Sequence, residues 1–134
     1  MSEYKWKANE LRIGNLLKRN GIVVTIDGRS IFDIWDDDGI VKLGYEPIEI
    51  TEDWLIKFGF KKTYADKCYA LPFNRHSLHR LIITLADIGN ILTIGDNYAS
   101  NGENLFVFTK DVVQYVHQVQ NVYYSLTNEE LTIR

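Results

Sequence analysis

The sequence predicts an α+β protein that is rich in antiparallel β-structure and contains one short and one long helix. Short runs of β-branched residues recur along the chain, and tight-turn signals such as Asp27-Gly28 separate them. Between residues 110 and 126, apolar residues instead repeat at three- and four-residue intervals, which is typical of an amphipathic helix. A length of 134 residues predicts a single domain spanning 1–134.

The first 45 residues predict a small, bent antiparallel sheet or an SH3-like barrel. Residues 22–26 are rich in β-branched side chains, and Asp27-Gly28 is a strong hairpin signal because a tight primed turn needs positive φ. We therefore expect residues 31–35 to pair back as a strand, followed by a further extended stretch at 40–45.

Capping signals place the two helices. Thr51 is a good N-cap for a short helix over 51–58, and Gly59 is placed just beyond its end. The long helix is predicted from residue 110 to 126, and its apolar stripe comprises Val112, Val116, Val119, Tyr123 and Leu126. Further strands are expected at 67–71, 78–85, 91–94 and 105–108.

A polar loop at residues 95–104 is the most site-like stretch of the sequence. It concentrates amide and hydroxyl groups around Tyr98, including Asn97 and Asn101. Long loops in compact domains are often functional, and tyrosine among small polar residues suits the binding of flat ligands. We expect these three residues to bind a ligand, although a hairpin tip without function has the same composition.

His76 and His79 raise the question of a metal site. Three residues apart, they would share one face of a helix, but on a strand they point to opposite faces. The β-branched residues that follow favour a strand, so no metal site is predicted. On a strand, His76 and Arg80 share a face, and with Arg75 and His79 nearby they indicate an anion-binding site beside the Tyr98 loop.

Catalytic signatures are missing from the sequence. There is no glycine-rich phosphate loop, nucleophile elbow or two-histidine zinc helix, and Cys68 has no local base to activate it. We therefore favour a protein that is not an enzyme and needs no cofactor. The alternative is a nucleotide-processing enzyme that uses His76, His79 and Cys68.

Nucleic-acid binding is a second alternative. The net charge of −3 provides no global attraction to phosphate, so such binding would need a local patch. The sequence after the first predicted helix contains such a patch, in which lysines are interleaved with aromatic residues. It comprises Lys57, Lys61, Lys62 and Lys67 with Phe58, Phe60 and Tyr64.

Two further expectations concern assembly and location. Tyr115, Tyr123 and Tyr124 cannot all face one narrow stripe, so the long helix near them is expected to contact a second subunit. The single cysteine, the short apolar runs and the polar N-terminus predict a cytoplasmic protein without a membrane partner.

Three stretches resemble one protein family when taken together. They are "NELRIGNLL" at 9–17, "YEPIEITEDWLIKFGF" at 45–60 and "VHQVQNVYYSLTNEEL" at 116–131. They are similar to the opening, middle and closing segments of a family of short proteins encoded by phages, prophages and mobile elements of gut anaerobes. The resemblance implies no catalytic or binding residues.

Small phage accessory proteins often act by binding, which suggests a function by analogy with that genomic setting. We expect a non-enzymatic binding protein that sequesters a small ligand, such as a nucleotide signal of host defence, or a host protein. The ligand and the partner are not identified by the sequence.

Overall fold

The computed structural model describes residues 10–36, 44–64, 66–73, 79–86, 89–96, 104–108 and 114–134. Within these residues, two antiparallel sheets of three and five strands pack with three helices. The α+β class and the antiparallel pairing are confirmed. No described helix is long and apolar enough to cross a membrane.

The smaller sheet comprises β1 (Leu16–Arg19), β2 (Ile22–Thr25) and β3 (Tyr45–Glu46), in the order β2-β1-β3. β1 and β2 form a hairpin in which Asn20 and Gly21 adopt φ values of 52° and 82°. Both values are positive, as a tight primed turn requires. Of the two forms predicted for this region, the described strands form the small sheet, and they do not close into a barrel.

The predicted strand at 31–35 is wrong, because α1 (Gly28–Asp36) is a helix. Asp27 is the N-cap of α1 and does not open a hairpin. Its Oδ1 atom accepts a hydrogen bond from the Ser30 backbone N–H at 2.9 Å. The helix forms because Ile31 and Ile34, three residues apart, both pack against the core below it. The described residues thus contain one helix more than predicted.

The short helix is confirmed as α2 (Glu52–Lys57), followed by the two-residue β4 (Lys61–Lys62). Thr51 caps α2, accepting a hydrogen bond from the Trp54 N–H at 3.4 Å. Gly59 lies beyond its end with a φ of 95°, as the sequence indicates.

The larger sheet has the order β4-β5-β6-β7-β8. Its four longer strands confirm those predicted from the sequence and are β5 (Cys68–Pro72), β6 (His79–Thr84), β7 (Ile91–Asp96) and β8 (Asn104–Phe108). One face of β5–β7 supplies alternate residues to the main core, namely Tyr69, Leu71, Leu81, Ile83, Leu92 and Ile94.

The long helix, α3 (Val116–Thr127), begins later than predicted. Tyr115 is extended and forms a β-bridge with Glu49, so it cannot belong to the helix. The side-chain oxygen of Gln118 caps the start of the helix by accepting hydrogen bonds from the backbone N–H groups of Gln114 and Tyr115, both at 2.9 Å. Residues 109–113, which include Val112 of the predicted apolar stripe, lie outside the described residues. The predicted Val116, Val119 and Tyr123 are buried, whereas Leu126 is exposed.

Two apolar clusters result from this arrangement. The main core lies between the larger sheet, α2 and α3, whereas a second cluster of Leu17, Ile26, Ile34 and Tyr45 lies between the smaller sheet and α1. The segment before β1 and the helix α3 meet where the two clusters adjoin.

Candidate functional site

Parts of the three stretches 9–17, 45–60 and 116–131 come together around the start of α3. Within the first stretch, hydrogen bonds to side chains of α3 are made by Glu10, Arg12, Asn15 and Leu16. The middle stretch supplies Ile48, whose carbonyl oxygen accepts the Val116 N–H at 2.8 Å, and Ile50, whose N–H donates to Gln114 at 3.3 Å. The residues of this meeting point form a polar joint, defined by Glu10, Arg12, Asn15, His117, Gln120, Asn121 and Glu130.

Asn121 lies at the centre of the polar joint. Its side-chain oxygen accepts hydrogen bonds from Asn15 Nδ2 at 2.8 Å and from Arg12 Nε at 3.2 Å. Its Nδ2 group donates to the backbone carbonyl of Glu10 at 2.7 Å. One amide therefore satisfies three groups of the N-terminal segment, which fixes that segment against α3.

Gln120 secures the entry to β1 in the same way. Its side-chain oxygen accepts the N–H of Leu16 at 2.8 Å, and its Nε2 group donates to the carbonyl of Gly14 at 3.3 Å. Because Gln120 is buried, loss of either bond would leave a desolvated polar group.

Arg12 closes the outer side of the joint. Its guanidinium group forms a bidentate ion pair with Glu130, in which Nη2 lies 3.1 Å from Oε2. The same guanidinium group lies over the ring of Tyr124, 4.1 Å from the ring centroid. Tyr124 is thus partly covered by the chain itself.

His117 is the titratable group within the joint. Its imidazole is completely buried, stacks on the ring of Tyr115 with the centroids 5.8 Å apart, and places Nε2 3.3 Å from Glu10 Oε2. Burial lowers the pKa of His117, and the hydrogen bond and charge of Glu10 oppose that shift. Burial also raises the pKa of Tyr115, with Glu49 and Glu10 adding to the effect.

The joint cannot act directly on a substrate through His117, since that side chain has no solvent-accessible surface. Its chemistry is that of a structural network. This network was not predicted, although the sequence places three amide side chains, Gln118, Gln120 and Asn121, within four residues of one another.

A cleft among the described residues combines apolar and charged side chains. It has a volume of about 390 Å³ and lies between β4, the end of β5 and the C-terminal half of α3. Its apolar lining includes Leu71, Phe73 and Tyr123, and its charged lining comprises Lys61, Arg134 and Glu129. None of the ion pairs within 4.0 Å among the described residues involves these three charged groups.

Two contacts shape this cleft. The Tyr123 hydroxyl donates to the carbonyl of Phe73 at 3.3 Å, which fixes the ring in the cleft wall. The Arg134 N–H donates to the carbonyl of Lys57 at 2.7 Å, and its side chain lies across Gly59. A Cβ atom at residue 59 would approach Arg134 Cδ to 2.7 Å, so the glycine allows the arginine to lie there.

Most of the predicted ligand-binding residues lie outside the described residues, namely His76, Asn97, Tyr98 and Asn101. Arg80 lies on β6, and its Nε atom is buried without a hydrogen-bond partner among the described residues. It pairs with Gly95 on β7 and Pro72 on β5. Arg80 thus lies at the end of the sheet where β5 ends, β6 begins and β7 ends.

The four lysines of the predicted nucleic-acid patch are all exposed. Lys61 lines the cleft, whereas Lys62, the next residue of the strand, points to the opposite face. Lys57 instead lies over Trp54, with Nζ 4.8 Å from the ring centroid. The patch is therefore spread over several faces, although Tyr64 between the lysines is 95% exposed.

The residues of the predicted enzyme do not come together where they are described. Cys68 pairs with Thr84 at one end of β6, and His79 begins that strand at the other end. Five residues of strand separate these positions, a distance of about 16 Å. No group of three metal-binding side chains occurs in the part of the chain that the structure describes.

The comparisons with known proteins give no match: no protein-family model, curated protein or solved structure is similar to this chain. Function must therefore be argued from the geometry.

Proposed function

We propose that this chain is a non-enzymatic binding protein that takes up a small anionic ligand in the cleft between β4, β5 and α3. The observation that carries the proposal is the pairing of Lys61 and Arg134 with the aromatic residues Phe73 and Tyr123 in one cleft of about 390 Å³. Cations bind phosphate oxygens, and aromatic rings provide apolar contacts for a flat base.

The size of the cleft favours a mononucleotide among anionic ligands. Ligand pockets in proteins usually measure roughly 300–1,000 Å³, so this cleft is at the small end of the range. Glu129 at its rim offsets one of the two positive charges, which favours a ligand that carries both an anionic group and hydrogen-bond donors. The resemblance to phage-encoded proteins supports a role in sequestering a nucleotide signal of host defence.

Thermal unfolding with linear and cyclic mononucleotides tests this proposal, with the uncharged nucleoside as the ligand control. We expect a nucleotide at about 100 times its Kd to raise the Tm by about 8 °C, since such saturation contributes about 2.7 kcal/mol. K61Q and R134Q should each abolish most of this shift. K62Q is the matched control, because Lys62 is on the opposite face, and it should retain the shift.

If no mononucleotide shifts the Tm, the small-ligand proposal is wrong. If K62Q and K61Q lose the same part of the ligand-induced rise in Tm, the proposal is also contradicted. The nucleotide would then respond to the overall charge of the protein and not to the cleft.

Nucleic-acid binding is the second candidate, and the exposure of Tyr64 beside exposed lysines favours it. Electrophoretic mobility shifts with single-stranded oligonucleotides at several salt concentrations distinguish the two functions. Binding through phosphate contacts must weaken steeply with salt and must depend on Lys57, Lys62 and Lys67 as much as on Lys61.

A further inference from the structure

The outer face of α1 carries two large apolar side chains that are exposed. Ile31 and Ile34 face the second core cluster, but Phe32 and Trp35 are 57% and 68% exposed. Their rings are in contact, with the centroids 6.3 Å apart. An exposed pair of large aromatic side chains on one helix is typical of an interaction surface.

A glycine and an isoleucine extend this surface towards the start of the helix. Gly28, Phe32 and Trp35 lie four and three residues apart, so they form one stripe along α1. Ile13 is 62% exposed, and its Cδ1 atom is the nearest side-chain atom to the position that a Cβ at residue 28 would occupy, 3.8 Å away. We call Ile13, Gly28, Phe32 and Trp35 the α1 surface.

Gly28 has no role within the domain that requires a glycine. Its φ is not in the left-handed region, and a distance of 3.8 Å is an ordinary van der Waals contact that a methyl group would tolerate. A glycine in a helix costs up to about 1 kcal/mol relative to alanine. The gap above Gly28 is therefore a shallow depression on the surface, beside Ile13.

We propose that the α1 surface is the contact between two copies of this chain, in which the two α1 helices pack antiparallel about a two-fold axis. With the axis passing between residues 31 and 32, Trp35 of one copy lies opposite Gly28 of the other. The largest side chain of the stripe then fills the depression left by the smallest, and the same contact occurs twice by symmetry.

The charges beside the stripe match this arrangement. Arg29 and Asp33 lie on the same flank of α1, four residues apart. In an antiparallel pair, the same flanks of the two helices meet, so Arg29 of each copy approaches Asp33 of the other. Two symmetric pairs of opposite charge form, whereas a parallel arrangement would bring opposite flanks together and leave Arg29 and Asp33 without these partners.

The size of the surface limits the affinity. Four apolar residues per copy place the contact at or below the low end of protein interfaces, about 1,200 Å² in total. We therefore expect a dimer with a Kd in the micromolar range that dissociates on dilution. This surface is separate from the cleft, so dimerisation and ligand binding are measured independently.

Sedimentation velocity over a range of protein concentrations tests the dimer. Wild-type protein should change from monomer to dimer, and W35A should weaken association by more than tenfold. Y64A is the matched control, because Tyr64 is the most exposed aromatic side chain among the described residues and lies outside α1; it should leave the Kd unchanged.

Charge variants and a glycine variant of α1 separate this contact from general surface effects. R29D and D33R should each weaken the dimer, and the double variant R29D/D33R should restore it, because the opposite charges meet again. G28A should raise the Tm of the monomer and weaken the dimer. A wild-type protein that stays monomeric at all concentrations, or a double variant that does not recover, would overturn the proposal and leave the surface to a different protein partner.

Discussion

At the residue scale, His117 is the group most sensitive to its surroundings. It is buried in the polar joint, and the sequence singled out the other two histidines instead. Nothing local marks His117, because its burial depends on the N-terminal segment, more than a hundred residues away, that covers it.

We predict that the stability of the fold decreases as the pH falls below about 6.5. Because burial lowers the pKa of His117 in the folded state, the folded protein favours neutral imidazole. The unfolded chain binds a proton near its ordinary value of 6.5, so the stability is fully present above that pH and is lost as the pH falls from there through the folded pKa.

Urea unfolding at several pH values between about 5 and 8 measures this effect. H117Q keeps a nitrogen donor that can bond to Glu10 but does not titrate, so its stability should depend less on pH in this range. If wild type and H117Q show the same slope, His117 is not responsible.

At the element scale, α1 shows how one local sequence supports two structures. Asp-Gly before β-branched residues is a hairpin signal, but Asp is also a good N-cap. Ile31 and Ile34 favour the helix over the hairpin strand, because both side chains reach the second core cluster only if the segment is helical. The preference for a helix therefore depends on the smaller sheet, whose strands β1 and β3 lie outside the segment 28–36.

We predict that D27A destabilises the protein by about 1 kcal/mol, because Asp27 caps α1 through Ser30. D27N is the matched control, since an amide oxygen can accept the same hydrogen bonds. Chemical unfolding monitored by circular dichroism gives both values. A loss in D27N as large as that in D27A would show that the cap is not the cause.

The four longer strands of the larger sheet and α2 were predicted correctly because their signals are local and agree with one another. Alternation, turn residues and flanking polar residues all favour β6 and β7, and Thr51 and Gly59 mark the two ends of α2. The start of α3 was placed too early because Tyr115 is helix-compatible by composition. Its bridge to Glu49 holds it in an extended conformation.

At the scale of the whole molecule, the polar joint links the elements that carry the two apolar clusters. Asn15, which is completely buried, immediately precedes β1 of the smaller sheet, and Asn121 lies on α3, which covers the main core. We expect the two clusters to unfold together because these amides are satisfied only when both are in place.

We predict that N121A lowers the free energy of unfolding by about 2–3 kcal/mol, because it leaves groups of Glu10, Arg12 and Asn15 without their hydrogen-bond partner. S125A, one turn later on the exposed side of α3, is the control and should change stability by less than about 0.5 kcal/mol. Tryptophan fluorescence and circular dichroism should give coincident transitions in wild type. A small loss in N121A, or two separate transitions in wild type, would contradict this account of the joint.

Like the fold, the candidate site was predicted from the sequence only in part. The sequence identified Lys61 as one of four basic residues, but only the folded chain brings it into a cleft with Arg134 and Tyr123. Of the residues predicted for the site at the Tyr98 loop, the structure describes Arg80, which pairs with Gly95 on β7, and the role of these residues in binding stays a prediction.

By itself, the sequence determined the α+β class, the strands of the larger sheet and the short capped helix, because these depend on neighbours within a few residues. Only the tertiary structure decided that 28–36 is a helix, that His117 and Asn121 belong to one buried joint, and that Lys61 faces a cleft. These features depend on contacts between segments far apart in the chain, and the free energy of such contacts outweighs local preferences that differ by about 1 kcal/mol or less per residue.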